Sequence, residues 1–236
     1  MLDFDRYTVL TFDCYGTLID WESGILGALK PVFANRSITI SDNELLERYG
    51  EIEAYLEGGV YKPYRQVLSD AVAGLGLRYG FSPTATEMET LPNSVQFWQP
   101  FPDTVEALKQ LKKKYRLAII SNIDDDLFAA SARHLEVQFE YVITASQVKS
   151  YKPSHNNFDR ALERIGAARE QVLHVAQSIY HDVVPCRALG ISSVWVNRRK
   201  GLSGSGATLP AEGRPDLEVP DLRALANLLV EDVTVH

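Results

Sequence analysis

Short apolar segments rich in β-branched residues alternate along this chain with segments of helical periodicity, and this alternation limits the fold more than any other feature. The strand-like segments lie within 7–17 and at 116–121, 141–145, 172–177 and 192–197. Between them, segments such as 103–115 and 156–166 have the apolar spacing of amphipathic helices. Strands that alternate with helices build a parallel sheet covered by helices on both faces. The sequence therefore predicts an α/β fold, closed by a short strand and a helix within 216–230.

Residues 20–98 interrupt this alternation. They show helical periodicity at 22–34, 42–57, 63–79 and 83–98, and they contain no convincing buried strand. We therefore predict two domains. Residues 1–19 and 99–236 form a Rossmann-like, three-layer parallel sheet core, and residues 20–98 form an inserted helical cap. A cap inserted after the first strand would close over the carboxyl ends of the strands and exclude water.

The first strand runs straight into a polar turn that contains Asp13, Gly16 and Thr17. In open α/β sheets, ligands bind just beyond the carboxyl ends of the strands, so Asp13 lies where a nucleophile is expected. Gly16 permits a sharp turn, and the Thr17 hydroxyl can hydrogen-bond the carboxylate. The turn predicts a catalytic site at this edge of the sheet.

Composition restricts the partners of the chain. The net charge of -7 argues against nucleic acid or an anionic membrane as a partner, and leaves a small anionic organic substrate that local donors would have to attract. The two cysteines, Cys14 and Cys186, suggest no disulfide framework. We find no signal peptide and no apolar run of about 20 residues, so we expect a cytoplasmic protein without a membrane span. Pairing through cap surfaces leaves a homodimer open.

The segment FDCYGTLID at 12–20 resembles motif I of the haloacid dehalogenase (HAD) superfamily of hydrolases, in which the first aspartate attacks the substrate. Phosphatases of this superfamily carry a second aspartate two positions later, which protonates the leaving oxygen and helps to hold magnesium. Tyr15 occupies that position here and is similar to the 2-haloacid dehalogenase branch. The resemblance implies that Asp13 is catalytic and that Tyr15 contacts the substrate.

Two further motifs support the resemblance. Ser121 and Asn122 end the second strand, where a hydroxyl and free backbone N–H groups at a helix start can bind an anion, although either side chain can instead cap the helix. Lys152, in SYKPSHNNF, resembles motif III. Its ammonium would hold Asp13 ionised and oriented.

The segment HVAQSIYHD at 174–182 aligns with motif IV, but Gln177 replaces the acid that usually binds magnesium. Asp182 occupies the second acidic position, where it can orient Lys152, activate the hydrolytic water or simply support the site. Gln177 and Ser178 lie at the strand end as substrate-binding candidates. Magnesium prefers anionic oxygen ligands, so we predict no metal and no other cofactor.

Arg48 lies in the predicted cap. Dehalogenases of this type use a cap arginine near this point to bind the substrate and draw off the halide. The correspondence rests on spacing alone, and a surface arginine remains the alternative.

The leaving group decides between mechanisms. Halide leaves as a stable anion, whereas an alkoxide needs a proton from an acid beside the nucleophile. Since Tyr15 is a poor acid, we predict a hydrolase that cleaves the carbon–halogen bond of a small 2-haloalkanoic acid through an aspartyl ester. The first alternative is a HAD hydrolase of another substrate, most simply a magnesium-dependent phosphatase, and the second is a non-catalytic binding module on the same fold.

Overall fold

The structure, a computed structural model, describes residues 2–230. Six parallel strands form one sheet in the order β3-β2-β1-β4-β5-β6. The strands are β1 (Val9–Phe12), β2 (Arg116–Ser121), β3 (Tyr141–Thr144), β4 (Val172–Ala176), β5 (Ser192–Val196) and β6 (Leu217–Val219). The predicted parallel α/β sheet is confirmed, including the short strand within 216–230.

Eleven α-helices accompany these strands in the described part of the chain. They are α1 (Trp21–Ala34), α2 (Asp42–Glu57), α3 (Tyr64–Tyr79), α4 (Ala85–Met88), α5 (Thr90–Ser94), α6 (Thr104–Leu111), α7 (Asp125–Leu135), α8 (Ala145–Val148), α9 (His155–Ile165), α10 (Val184–Leu189) and α11 (Leu222–Val230). A π-helical turn, Ile179–Val183, precedes α10. Within residues 2–230, no helix combines the length and the apolar character that crossing a bilayer requires.

Strand β1 lies in the middle of the sheet and is buried along its whole length. It pairs with β2 on one side and with β4 on the other, in register from Val9 to Phe12. A strand covered on both faces reads as a continuous apolar run, which is the pattern that 7–12 carries. The carboxyl ends of β1, β2 and β4 therefore lie side by side at one edge of the sheet.

Helices α1 to α5 follow β1 and come before α6, and they contact one another. The turn Val95–Phe97 contacts α1 and α5 on one side and α7 on the other, and so connects these helices to a helix beside the sheet. Asp124 strengthens this contact, since its carboxylate accepts hydrogen bonds from the backbone N–H groups of Tyr64 (3.0 Å) and Arg65 (2.9 Å) at the start of α3. The division into a core and a cap at 20–98 stays a prediction.

Two details of the sequence prediction were wrong. The segment 83–98 is not one helix but α4, α5 and a 3₁₀ turn, because Pro92 has no N–H to continue a helical ladder through Met88. The low-complexity sequence of 199–214 predicts an exposed, mobile loop, but this loop is not exposed throughout, since Ala207 is fully buried against α2.

Candidate active site at the carboxyl edge of the sheet

Asp13 follows β1 and is 7% exposed. The hydroxyl of Thr17 donates to Asp13 Oδ2 at 2.7 Å and accepts the backbone N–H of Gln177 at 2.8 Å. Gly16 has φ of 91°, a left-handed conformation that glycine adopts without strain. The turn thus brings Thr17 back onto the carboxylate and fixes its rotamer.

Lys152 lies opposite Asp13 and is 2% exposed. Its Nζ donates to Asp13 Oδ1 at 2.9 Å, to Asp182 Oδ1 at 2.7 Å and to the backbone oxygen of Ile120 at 3.0 Å. An ammonium has three hydrogens, so each has a partner. The loop between β3 and α9 therefore supplies a fixed cation between two carboxylates that come from different strands.

The charges of Lys152, Asp13 and Asp182 shift the pKa values of one another. Burial would lower the pKa of Lys152, but the carboxylates of Asp13 and Asp182 raise it above its usual value. Burial raises the pKa of Asp13, and the neighbouring ammonium opposes that rise. For Asp182 the ammonium and His174 outweigh burial and lower the pKa to about 2. Asp182 is thus ionised at neutral pH.

Asp182 is held by the π-helical turn after β4 and is fully buried. Besides Lys152, its Oδ1 accepts from His174 Nε2 at 2.9 Å, and the other ring nitrogen of His174 bonds the Thr11 hydroxyl at 2.8 Å. His174 precedes the strand end, a position that predicts a core residue, and it is buried. Its partners orient Asp182 and so orient Lys152.

Asn122 fixes the loop that carries Lys152. Its Oδ1 accepts the Lys152 backbone N–H at 2.7 Å, and its Nδ2 donates to the Lys152 backbone oxygen at 3.0 Å. The same Nδ2 donates to Glu57 Oε2 at 3.1 Å. The neighbouring Ser121 hydroxyl is buried and has no partner among the described residues, so it is free to bind a ligand.

Tyr15 presents its ring, rather than its hydroxyl, to this site. The hydroxyl bonds Ser131 on α7 at 2.8 Å, and the ring packs edge-on against Trp98 with centroids 5.8 Å apart. Burial raises the pKa of Tyr15 well above its usual value. A hydroxyl in this position cannot serve as an acid beside Asp13.

The side chains enclose a small chamber of about 30 Å³, which has room for only a few water molecules. Its lining residues are Asp13, Tyr15, Trp21, Glu53, Glu57, Tyr64, Ser121, Asn122, Lys152, Ser178, His181, Asp182 and Thr208. An outer cleft of about 360 Å³ borders it and shares Glu57 and Lys152 with it.

The structure brings most of the predicted residues together, with two exceptions. Gln177 faces a neighbouring groove beside Gly16, and only its backbone N–H supports the site. Arg48 does not join the chamber; its guanidinium pairs with Glu51 on its own helix. Arg48 lies one position before Tyr49, about 100° around α2 from that buried residue, and this rotation directs it elsewhere.

Two acids of α2 that line the chamber were not identified from the sequence. Glu53 and Glu57 lie one turn apart at the end of α2. Glu53 continues the buried stripe formed by Leu45 and Tyr49, each four residues from the next. A glutamate at a position of this apolar stripe was the sequence signal that could have identified Glu53 as a buried acid. For His181, next to Asp182, the sequence favours an exposed helix position, but its side chain is only 12% exposed and burial lowers its pKa to about 4.

Phosphatases of the superfamily that this chain resembles hold magnesium beside the first aspartate, but the present residues do not fit that ion. Lys152 Nζ already bonds the Asp13 and Asp182 carboxylates, where the cation would have to bind. Gln177 brings no charge, and among residues 2–230 no cluster of three His, Cys, Asp or Glu side chains is arranged to hold a metal. We derive no metal-dependent step.

An open parallel sheet with a buried aspartate, lysine and second aspartate at its carboxyl edge defines an α/β enzyme. The family model of the haloacid dehalogenase-like hydrolases matches residues 7–190, and the chain belongs to that family.

Proteins of known activity resemble it over nearly their full length. The (S)-2-haloacid dehalogenase of Pseudomonas sp. (strain YL) is 28% identical over 226 residues, 93% of each chain. The haloacetate dehalogenase H-2 of Moraxella sp. (strain B) is 26% identical over 95% of this chain and 98% of its own. The L-2-haloacid dehalogenase of Xanthobacter autotrophicus, solved with chloropropionic acid covalently bound, shares the fold with a TM-score of 0.78. It is 23% identical, over 97% of this chain and all of its own.

Proposed function

We propose that this hydrolase cleaves the carbon–halogen bond of a small 2-haloalkanoic acid through an ester on Asp13. The observation that carries the proposal is the pairing of Asp13 with Lys152 in a chamber where Tyr15 takes the place of an acid. A phosphate ester needs a proton for its leaving oxygen and cations around its phosphoryl group, whereas a halide needs neither. The relatives named for dehalogenation of 2-haloacids support the same choice.

The reaction has two steps. In the first, a carboxylate oxygen of Asp13 attacks the carbon that bears the halogen, forms a C–O bond and expels the halide with the electron pair of the broken bond. In the second, water attacks the carbonyl carbon of the ester and the bond between that carbon and the substrate oxygen breaks. One proton of the water ends on the hydroxyl of the released 2-hydroxy acid and the other passes to solvent, which restores the carboxylate. Thr17 and Lys152 hold Asp13 ionised and in one rotamer.

The other chamber residues have supporting roles in this proposal. The unpartnered Ser121 hydroxyl binds the substrate carboxylate, beside Asn122. Asp182 orients Lys152, and its second oxygen, Oδ2, has no partner among the described residues and is free to orient the water. Helices α1 to α5 act as a cap that keeps bulk water from the ester.

Chloride release from 2-chloropropionate tests this function. We expect release that a chelator does not change, and a loss of at least about a thousandfold in Asp13→Asn, since the amide of asparagine cannot form the ester. The control is Asp42→Asn, which removes an exposed carboxylate paired with Lys30 and should leave the rate unchanged. Magnesium-dependent phosphate release from a simple phosphate ester, without chloride release from any haloacid, would contradict the proposal.

A further inference from the structure

Two carboxyl groups face the site from α2, where a cation that attracts an anionic substrate would be expected. Glu53 is 3% exposed and the Glu57 side chain is 5% exposed, and both line the chamber together with Asp13 and Lys152. No arginine lines the chamber within the described residues.

The charges of the chamber do not balance if all of its acids ionise. The acids are Asp13, Glu53, Glu57 and Asp182, and the only lysine is Lys152, whose hydrogens are already used on Asp13, Asp182 and a backbone oxygen. His181 adds no charge at neutral pH because burial lowers its pKa to about 4. A buried carboxylate without a cation is costly, so at least one of the two glutamates is held neutral.

Glu57 has the stronger reasons to be neutral. It is the last residue of α2, where the partial negative charge of the helix end opposes a carboxylate. Its one described donor is the Asn122 amide, on Oε2, and Oε1 has no partner in residues 2–230. Burial, followed by the charge of Glu53, raises the pKa of Glu57 well above its usual range, although Lys152 opposes the shift.

The hydrogen bonds around Glu53, in contrast, favour its ionised form, so Glu57 is the glutamate with fewer donors to stabilise a carboxylate. Its Oε1 accepts both the Tyr49 hydroxyl at 2.7 Å and the Tyr64 hydroxyl at 2.5 Å, and no described donor reaches Oε2. In Glu57 the oxygen that accepts from Asn122 can be the carbonyl of a carboxylic acid, which leaves Oε1 free to carry a proton.

We propose that Glu57, as a neutral carboxylic acid at the junction of the outer cleft and the chamber, donates its hydrogen to the carboxylate of the substrate. The inference rests on the proposed function for the kind of substrate. Glu57 thereby selects a carboxylate over its neutral amide, a role that the sequence had led us to expect of Arg48. Both the cleft and the chamber are lined by Glu57, so an entering substrate passes it.

The pH dependence follows from the groups around this side chain. They are Glu53 and Tyr49 of the same helix, Tyr64 of α3, Tyr151 and Lys152 of the loop before α9, and His181 of the π-helical turn. Raising the pH removes the proton of Glu57 and places a second negative charge beside the bound anion. Binding of a carboxylate therefore weakens as the pH rises, while binding of an amide does not weaken in this way.

Ligand binding to the Asp13→Asn variant tests the proposal without turnover. We would measure Kd for 2-chloropropionate and for 2-chloropropionamide by calorimetry from pH 6 to 9. The carboxylate should bind more tightly at low pH and lose about tenfold or more in affinity with rising pH, the size expected for a hydrogen bond to a charged group. Adding Glu57→Gln, which keeps a donor, should preserve carboxylate binding within about threefold and abolish its pH dependence, while Glu57→Leu should lose about tenfold or more.

The control is Glu51→Gln on the exposed side of the same helix, which should change neither Kd nor its pH dependence. Tighter binding of the amide, together with a loss of affinity in Glu57→Gln, would overturn the proposal because it would make Glu57 an ionised acceptor. Infrared spectra give a second readout: the carbonyl band of protonated carboxyl groups at neutral pH should be weaker in Glu57→Gln than in its parent.

These results separate the inference from the proposed function. If the wild type releases no chloride but Glu57-dependent, pH-sensitive binding of the carboxylate persists, the function fails and the inference stands. If chloride release is brisk but neither the affinity nor its pH dependence responds to Glu57, the inference fails and the function stands.

Discussion

At the scale of single residues, Lys152 determines how the site is charged. A buried ammonium that bonds two carboxylates is stabilised only while both remain ionised, and its three partners leave it no freedom to move. In the proposed reaction it holds Asp13 ready without a metal ion. Because all three hydrogens of the ammonium are already bonded, we expect neutral donors such as Ser121 to bind the carboxylate of the substrate.

Tyr15→Phe tests whether the tyrosine hydroxyl takes part in the chemistry. We expect kcat to stay within about threefold of the wild type, because the hydroxyl bonds Ser131 and not the substrate. The free energy of unfolding should fall by about 1–2 kcal/mol, since the buried Ser131 hydroxyl loses its partner. Steady-state chloride release and urea unfolding measure the two effects. A hundredfold loss of kcat would mean that the hydroxyl transfers a proton.

At the scale of elements, helix α2 and the segment after β5 approach each other closely because Gly50 has no side chain. A Cβ on Gly50 would lie 2.5 Å from the backbone oxygen of Ala207, next to Thr208 of the chamber lining. The close approach carries α2 over the carboxyl edge of the sheet and brings its acids to the site.

Gly50→Ala should therefore destabilise the protein by about 1–3 kcal/mol, because the loop backbone must move. The matched control is Gly27→Ala in α1, where no atom lies within 4 Å of the added Cβ. That substitution should stabilise the helix by about 0.5–1 kcal/mol. Thermal unfolding of both variants gives the comparison. Equal effects of the two substitutions would contradict the described packing of α2 on Ala207.

Elements also show what periodicity can predict. The strands were predictable because buried parallel strands are short, apolar and bounded by polar turns, as β1 and β4 are. The π-helical turn that carries Asp182 was not, since it depends on how Ser178 and the chain before α10 fit against the end of β4. Pro92 is present in the sequence and could have indicated that 83–98 is not one helix. The helical periodicity of the segment nevertheless suggested a continuous helix.

At the scale of the whole molecule, the site joins residues that lie far apart in the sequence. The strand-end residues Asp13 and Ser121 could be placed from sequence because parallel strands end at one edge. Glu53 and Glu57 could not, because a helix reaches the site only through tertiary packing, and most glutamates on helices are surface residues. The sequence pattern also gave no means of excluding Arg48.

The pH dependence of the free energy of unfolding should show the effect of the buried Glu53. Burial raises the pKa of Glu53 from 4.5 to about 7, although the hydroxyls of Tyr64 and Tyr49 oppose the shift. An acid whose pKa is higher in the folded than in the unfolded state stabilises the fold fully at pH values below its unfolded-state pKa. This contribution is lost as the pH rises through its folded-state pKa.

The wild type should thus lose about 3 kcal/mol relative to Glu53→Gln between pH 4.5 and 7, and no more above that range. Urea unfolding of both proteins across this range measures the difference. Glu51→Gln, on the exposed side of α2, should show no such trend. A difference between the wild type and Glu53→Gln that stays constant with pH would mean that Glu53 is ionised in the folded protein throughout.

The most direct test of the central claim, that Asp13 bonds covalently to the substrate carbon, is a single turnover in ¹⁸O-water with the enzyme in excess over 2-chloropropionate. Mass spectrometry of the peptide that contains Asp13 and of the released acid then locates the label. We expect ¹⁸O in Asp13 and none in the product, because water attacks the ester carbonyl. Labelled product with an unlabelled Asp13 would show direct attack of water on carbon and would contradict the account.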